Sequence, residues 1–288
     1  MTTQPEKLRA LLAQPGLLTM PCCFDPLSAK LIEQAGFSLS FMSGFAASAA
    51  RLGMPDTGLM SYGEVVDQGR NICNAVSFPV IGDGDTGYGN ALNVKRTVKG
   101  FAQAGFAAIM IEDQVSPKRC GHTMGKAVVS RDEAFERVRA AADARAEGHD
   151  ILILARTDAR HDHGLDEAIE RAQEFRRLGA DILFVEAPRD EAEMAEVCTR
   201  IDGPCMANIV EGGMTPALTP AELEKLGFKI AAYPLTLMSA AMKAMVDALE
   251  AFKTGIPAEE TLMSFDDIKR RIGFDAYFAE EKRYAETR

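Results

Sequence analysis

The chain is 288 residues long and 47% hydrophobic, enough apolar material for one large domain or two ordinary ones. Its formal charge of -10 and pI near 5.0, with no basic stripe, argue against nucleic acid or an anionic membrane surface as partner. No apolar run approaches the ~20 residues of a membrane span, and the N-terminal stretch MTTQPEKLRALLAQPG lacks the apolar segment of a signal peptide.

After a short N-terminal helix the chain repeats one pattern: apolar strand, polar tip, amphipathic helix. The strands are expected over 17–25, 38–45, 79–85, 107–112, 151–157, 181–186, 205–209 and 230–234. Between them, Ser61 to Glu64, Ser130 to Glu133 and Thr219 to Glu222 read as capping boxes, the last with Pro220 at the first helical position. Gly36, Gly105, Gly179 and Gly227 follow helical runs and precede strands, as C-terminal cap glycines do. Eight such units predict a (β/α)8 barrel over residues 1–260. A doubly wound sheet also alternates, but the first turn lacks its G-x-G-x-x-G loop. Residues 261–288 form a helical extension in which Phe265, Ile268, Ile272, Phe274, Tyr277 and Phe278 make an apolar face with little of its own core to cover. An oligomer contact is the expectation. Low-complexity tracts and further internal repeats are absent.

In a barrel of this kind chemistry collects at the C-terminal ends of the strands. Those ends carry Asp25, Ser43-Gly44, Asp83-Gly84-Asp85, Glu112, Arg156 with Asp158, Glu186, Asn208 with Glu211, and Tyr233, while the strand interiors are nearly all apolar. Asp83 and Asp85 are two apart on extended chain and face the same side. Paired carboxylates repel unless a cation or proton lies between them. With no histidine pair at ligand spacing, an oxygen-only set suits Mg2+, or Mn2+ in its place, better than zinc; the other reading of GDGDTGYGN is a turn rich in turn formers. Arg156 suits a substrate carboxylate, or else an ion pair with Glu186 that locks the barrel top. Ser43-Gly44 can present backbone N–H groups to an anion. Asn208 either orients a carboxylate or satisfies loop backbone. His161 and His163 lie in a charged, solvated stretch.

The fourth strand runs into Glu112 and Asp113, a Ser116-Pro117 turn, and then Lys118-Arg119-Cys120-Gly121-His122. Six cysteines in a chain of this length make no disulfide framework, and without C-x-x-C spacing they read as free thiols in a reducing cytoplasm. All but Cys120 read as small buried hydrophobes. Around Cys120, the cations Lys118 and Arg119 together with His122 lower a thiol's pKa, suiting a nucleophile or a proton donor near neutral pH. Gly121 and Gly125 bracket His122 and leave the loop free to close as a lid.

These stretches resemble the isocitrate lyase/phosphoenolpyruvate mutase superfamily over nearly the whole chain. The matching motifs are FDPLSAKLIEQAGF (24–37), MSGFAAS (42–48), DGDTGYGNALNVKRTV (83–98), IEDQVSPKRCGH (111–122), ARTDA (155–159), FVEAPRD (184–190) and NIVEGGMTP (208–216). The K-[KR]-C-G-H motif marks the branch that breaks carbon–carbon bonds. The resemblance implies that Asp83 ligates Mg2+, with Asp85 and Glu112 holding its waters. It assigns Ser43, Gly44, Arg156, Glu186 and Asn208 to the carboxylates of substrate or product, Asp56 to a further active-site acid, and Gly121 and His122 to the loop that closes over them. The implied reaction splits a 2-hydroxy acid into a 2-oxo acid, pyruvate in similar enzymes, and an enediolate that takes a proton from Cys120.

Within the branch, 2-methylisocitrate lyases carry a glycine-rich run after the serine, whereas here Phe45 follows Ser43-Gly44 and narrows the pocket. Phe41 stands where those enzymes have tyrosine. Both features, with EAPRD and NIVEGG, resemble the 2,3-dimethylmalate lyase and petal-death branch. Tyr233-Pro234 departs from the serine of oxaloacetate hydrolases. The expectation is a 2-hydroxydicarboxylate lyase, with methylisocitrate cleavage second, oxaloacetate hydrolysis third, and a binding protein with an inactive site as the reading from another class. By resemblance, swapped C-terminal helices make dimers that pair into tetramers.

Overall fold

The computed structural model describes residues 2–121 and 125–285. Two compact units divide the chain, Met1–Leu237 and Met238–Arg288. The first opens with α1 (Gln4–Ala13) and continues through β1 (Leu18–Cys23), α2 (Pro26–Gln34), β2 (Ser40–Met42), α3 (Gly44–Leu52), α4 (Tyr62–Ala75), β3 (Val80–Asp83), α5 (Ala91–Ala104), β4 (Ala108–Glu112) and α6 (Arg131–Ala146). It goes on through β5 (Leu152–Thr157), α7 (Arg160–His163), α8 (Leu165–Arg177), β6 (Ile182–Val185), α9 (Glu191–Arg200), β7 (Met206–Asn208), α10 (Pro220–Leu226) and β8 (Ile230–Tyr233), and α11 (Thr236–Phe252) begins at its last residues. All seven strand pairings are parallel, in the order β6-β5-β4-β3-β2-β1-β8-β7. A parallel bridge from Leu183 to Cys205, with the Leu183 N–H on the Pro204 carbonyl at 2.9 Å, brings β6 against the start of β7 and nearly closes a TIM-type barrel.

Each strand divides its side chains between two cores, as a period of two requires. One row faces the interior: Met20 and Cys22, Leu39 and Phe41, Ile81, Met110, Leu152 and Leu154, Ile182 and Phe184, Met206, Ile230 and Ala232. The alternate row, including Cys23, Met42, Val80, Ile109, Ile111, Ile153, Ala155, Leu183 and Val185, packs under the helices. Leu8 of α1 belongs to the interior cluster, with Leu11 and Leu12 beside it, so the N-terminal helix plugs the end of the barrel from which the strands start.

Local signals behave as the sequence suggests, with two departures. Ser61 with Glu64 and Thr219 with Glu222 form reciprocal capping boxes. Gly105 and Gly227 end α5 and α10 in the left-handed region, at φ of 100° and 101°. Ser130 also caps its helix, accepting from the Glu133 N–H, but Glu133 does not reciprocate. Its carboxylate instead accepts from the Arg137 guanidinium at 2.6 Å, a charge-assisted bond one turn along the helix. The second departure is in the expected strand 38–45, which stops at Met42. The Ser43 hydroxyl accepts from the Ala46 N–H and starts α3, so Gly44 and Phe45 stand in the first turn of a helix.

The second unit holds the remainder of α11, a short 3-10 turn (Glu259–Thr261), α12 (Phe265–Ile272) and α13 (Phe274–Ala285). By compactness it begins within α11. In α11, Met242, Met245, Val246, Leu249 and Phe252 are exposed, as are the six apolar residues expected in the extension. No helix among the described residues is long and apolar enough to cross a membrane.

Because Leu8 is fully buried at the plugged end, Leu8→Ala is expected to lower unfolding stability by about 2–5 kcal/mol. Leu92→Ala, at a side chain 74% exposed, is expected to stay within about 0.5 kcal/mol of the parent. Urea unfolding of the two variants checks both.

Candidate active site

Following each inward-facing row one step beyond its last apolar residue gives the site. Phe41 is succeeded by Ser43, Ile81 by Asp83, Met110 by Glu112, Leu154 by Arg156, Phe184 by Glu186 and Met206 by Asn208. Except for Glu112, these polar residues line one small cavity of ≈ 60 Å³ at the C-terminal ends of the strands. Lys118, Arg119, Cys120 and Gly121 from the loop after β4, Asp56 from the loop after α3, and Gly44 and Phe45 at the start of α3 complete its polar side and rim. The remaining lining is apolar: Cys22, Phe41, Phe184, Met206, Val210, Ala232, Pro234 and Leu235. Gly44 is required there: a Cβ would stand 2.4 Å from an Asp83 carboxylate oxygen.

Around Asp83 the site is acidic. The Asp85 N–H donates to Asp83 Oδ1 at 3.0 Å, and Asp85 adopts a left-handed φ of 47°. Asp85 and Glu112 lie behind the cavity wall. Lys118 Nζ reaches Asp56 at 2.6 Å and Asp85 at 3.0 Å, so the ammonium expected to act on the neighbouring thiol is held among carboxylates. Burial pushes the Asp85 carboxyl up to about 6, opposed by Lys118 and reinforced by Asp83 and Asp56. Burial also pushes Glu112 well above the usual carboxylate range, opposed by Arg156 and Lys118. Lys118 stays cationic, since its buried acidic neighbours more than offset desolvation. Asp83, Asp85 and Glu112 were expected as one metal-binding set. Among the described residues, no group of three or more His, Cys, Asp or Glu side chains is arranged to hold a metal ion, because Asp85 is turned to Lys118 and Glu112 faces Arg156.

Arg156 is the hub of the other half. Its Nε and Nη2 donate to the two oxygens of Asp158 at 2.7 and 3.0 Å, and it lies 3.1 Å from Glu186 and 3.4 Å from Glu112. The guanidinium also sits over the Phe184 ring, 5.3 Å from its centroid. The sequence offered a substrate fork or an ion pair with Glu186. The ion pair is present, on the cavity wall where a carboxylate would arrive. Asn208 donates to Glu186 at 3.4 Å and so steadies a carboxylate. Asp158 is held well below the usual carboxylate range: burial alone would raise it, but Arg156 and Lys126 prevail.

Two residues that the sequence reading passed over hold this end of β5. Asp113 accepts from Thr157 Oγ1 at 2.7 Å, from the Asp158 N–H at 2.9 Å and from Arg171 at 3.0 Å. Lys126 donates to Asp158 at 2.8 Å and to the Gly121 carbonyl at 2.6 Å. Neither had a motif to announce it, although the adjacent Glu112-Asp113 pair put the second acid on the alternate face. Cys22, expected as a small buried hydrophobe, is buried in the interior cluster and also lines the cavity. In the loop, the Gln114 side chain brackets the Arg119 peptide with two bonds of 2.9 Å, and Cys120 follows on the wall. His122, expected beside the thiol, lies outside the described residues. Glu211 and Tyr233 stand away from the cavity lining, and Glu211 is bonded by the Thr236 hydroxyl.

The phosphoenolpyruvate phosphomutase family model matches residues 8–253. The 2,3-dimethylmalate lyase of Eubacterium barkeri is 42% identical over 285 residues, 98% of each chain. A chloroplastic carboxyvinyl-carboxyphosphonate phosphorylmutase of Arabidopsis thaliana is 40% identical, covering 98% of this chain and 85% of its own. A 2-methylisocitrate lyase of Aeropyrum pernix is 40% identical, covering 97% and 90%. Among solved structures, a 2,3-dimethylmalate lyase superposes with a TM-score of 0.93 at 36% identity, over 99% of this chain and 96% of that one. An oxaloacetate acetylhydrolase with 3,3-difluorooxalacetate gives 0.94 at 31%, over 99% and 98%. A phosphonopyruvate hydrolase with oxalate and Mg2+ gives 0.87 at 31%, over 98% and 99%. The chain belongs to the phosphoenolpyruvate phosphomutase family, in the superfamily that also contains isocitrate lyase. It is an enzyme of that superfamily, a carbon–carbon lyase.

A Cβ at Gly121 would stand 2.3 Å from Glu186 Oε2 and 2.5 Å from Arg156 Nη2. Gly121→Ala is therefore expected to displace the buried ion pair and lower turnover about 100-fold, with the circular dichroism spectrum of the parent retained.

Proposed function

We propose that the chain cleaves a small 2-hydroxydicarboxylate of the 2,3-dimethylmalate kind into a 2-oxo acid and a second carboxylic acid, with Cys120 as general acid. The observation that carries this is the placement of Cys120 on the same cavity wall as Asp83, Arg156 and Glu186. Arg156, Asn208 and the backbone N–H groups at the start of α3 are suited to the substrate's carboxylates, the last through the positive end of the helix. Loss of the hydroxyl proton to solvent turns the C–O bond into a carbonyl as the adjacent carbon–carbon bond breaks. Its electron pair passes to the departing fragment as an enediolate. The Sγ–H of Cys120 protonates that carbon, and the thiolate recovers its proton from solvent. The apolar lining of Phe41, Phe45, Val210 and Leu235 suits alkyl substituents, and Phe45 narrows the pocket against a tricarboxylate.

The oxygen-only donors of the acidic corner suit a divalent cation in kind, although Asp85 and Glu112 here face Lys118 and Arg156 rather than one another. Glu112 Oε1 is buried without a hydrogen-bond partner among the described residues, and burial raises the Asp85 carboxyl to about 6. A hard cation with oxygen ligands relieves both. Asp83, Asp85 and Glu112 would hold Mg2+, or Mn2+ in its place, and the ion would supply Lewis acidity to the hydroxyl and its neighbouring carboxylate. Lys118 would then neutralise the surplus of acids from behind.

The discriminating experiment is release of 2-oxo acid from 2,3-dimethylmalate, citramalate, 2-methylisocitrate and oxaloacetate in Mg2+. Turnover of the first is expected. Preference for 2-methylisocitrate would assign the tricarboxylate reading, and oxalate with acetate from oxaloacetate the hydrolase reading. Cys120→Ala is expected to reduce turnover by about 10²–10⁴-fold; near-full activity would remove its role. Independently of turnover, Mg2+ is expected to raise the melting temperature of the parent, and Glu112→Gln to abolish that rise.

Two further parts of the reading concern setting. Six free cysteines are consistent with a reducing cytoplasm. The exposed Phe265, Ile268, Phe274, Tyr277 and Phe278 support a homo-oligomer, built as dimers of helix-swapped dimers through the extension expected at 261–288.

A further inference from the structure

Lys126 carries no role in the reaction as read above, yet its side chain is only 1% exposed. Burying an ammonium is costly unless its donors are matched. One donor goes to Asp158 Oδ1 at 2.8 Å and another to the Gly121 carbonyl at 2.6 Å. Asp158 is also the carboxylate that takes both bonds from Arg156. The backbone of Gly121, in turn, lies so close to Arg156 and Glu186 that no Cβ fits. One residue before Cys120, the Arg119 peptide is held by both ends of the Gln114 amide. The thiol is thus bracketed, with Gln114 fixing the residue before it and Lys126 the residue after.

We propose that Lys126 is a positioning residue that ties the Cys120–Gly121 segment to the Asp158–Arg156 pair, so that proton donor and carboxylate-binding guanidinium keep one spacing. The catalytic part rests on the lyase reading, but the tether itself does not. An ion pair serving stability alone would need only Asp158. The bond to the Gly121 carbonyl adds nothing to charge neutralisation; besides matching a second ammonium donor, it fixes the position of the loop. Arg156 still satisfies Asp158 when Lys126 is replaced, so the fold is expected to survive the change.

The test is site-resolved alkylation of the full-length chain by iodoacetamide, read by mass spectrometry without substrate, in the parent, Lys126→Met and Lys126→Gln. Cys73 and Cys198, both half-buried, serve as internal references. The tether predicts that Cys120 alkylation quickens about tenfold or more in both variants, because local opening is no longer opposed, while Cys73 and Cys198 keep the parent's rate. With substrate, kcat is expected to fall about 100-fold with KM nearly unchanged. Unchanged alkylation of Cys120 with a lowered melting temperature would overturn the proposal and leave a structural ion pair. Absence of lyase turnover with quickened alkylation would keep the tether and refute the reaction. Should neither variant fold, the parent decides: Cys120 alkylated as fast as in a free peptide of residues 114–128 overturns the tether, and at least about tenfold protection supports it.

Discussion

Arg156 leaves its strand into a space already occupied by Asp158, Glu186 and Glu112, and the rest of the barrel mouth is arranged around that buried cation. Removing a guanidinium from water is offset only where several acceptors replace its hydration, and removing one partner of such a group typically costs about 3–5 kcal/mol. Each acceptor is itself secured from a different element. Asp158 has its N–H on Asp113, Glu186 has Asn208, and Glu112 lies at the end of β4 in register with Arg156. The charge network therefore spans β4, β5, β6 and β7, and sets the distances that the cavity presents to a ligand.

The two halves of the site solve opposite problems. On the Arg156 side, carboxylates are stabilised by a cation shared among them, and Asp158 is ionised with room to spare. On the Asp83 side, acids outnumber the available positive charge, and Lys118 between Asp56 and Asp85 leaves Glu112 and Asp85 with raised affinity for protons. An anionic substrate approaching this pair of corners is drawn toward the first and would be repelled from the second without a further cation. That asymmetry argues for a metal at the acidic corner more strongly than any sequence motif.

Much of this was legible in the chain. Eight apolar runs, each ending in a polar residue, specify both the barrel and which end carries the chemistry, because the side-chain period of a strand is two and the interior must be dry. Local competition was harder to read. Ser43 looked like strand until its hydroxyl found the Ala46 N–H, and Glu133 abandoned a capping box for Arg137, where a charged donor outbids an amide. Lys118 stood next to Cys120 in sequence, but a side chain of that length goes to the strongest field within reach, which is Asp56 and Asp85. Lys126 was invisible, since a lysine in a glycine-flanked loop carries no sign that it will be buried.

The plug formed by α1 has a consequence for traffic through the molecule. Among the described residues, Leu8 and the rows of Ile81, Leu152, Ile182 and Ile230 fill the barrel axis, so a ligand at the strand ends has its way out at that same end. A cleavage reaction makes two molecules from one in a chamber with a single door. The fragment nearer the opening has to depart before the one lodged against the strand ends, and the order of release is then a property of the architecture.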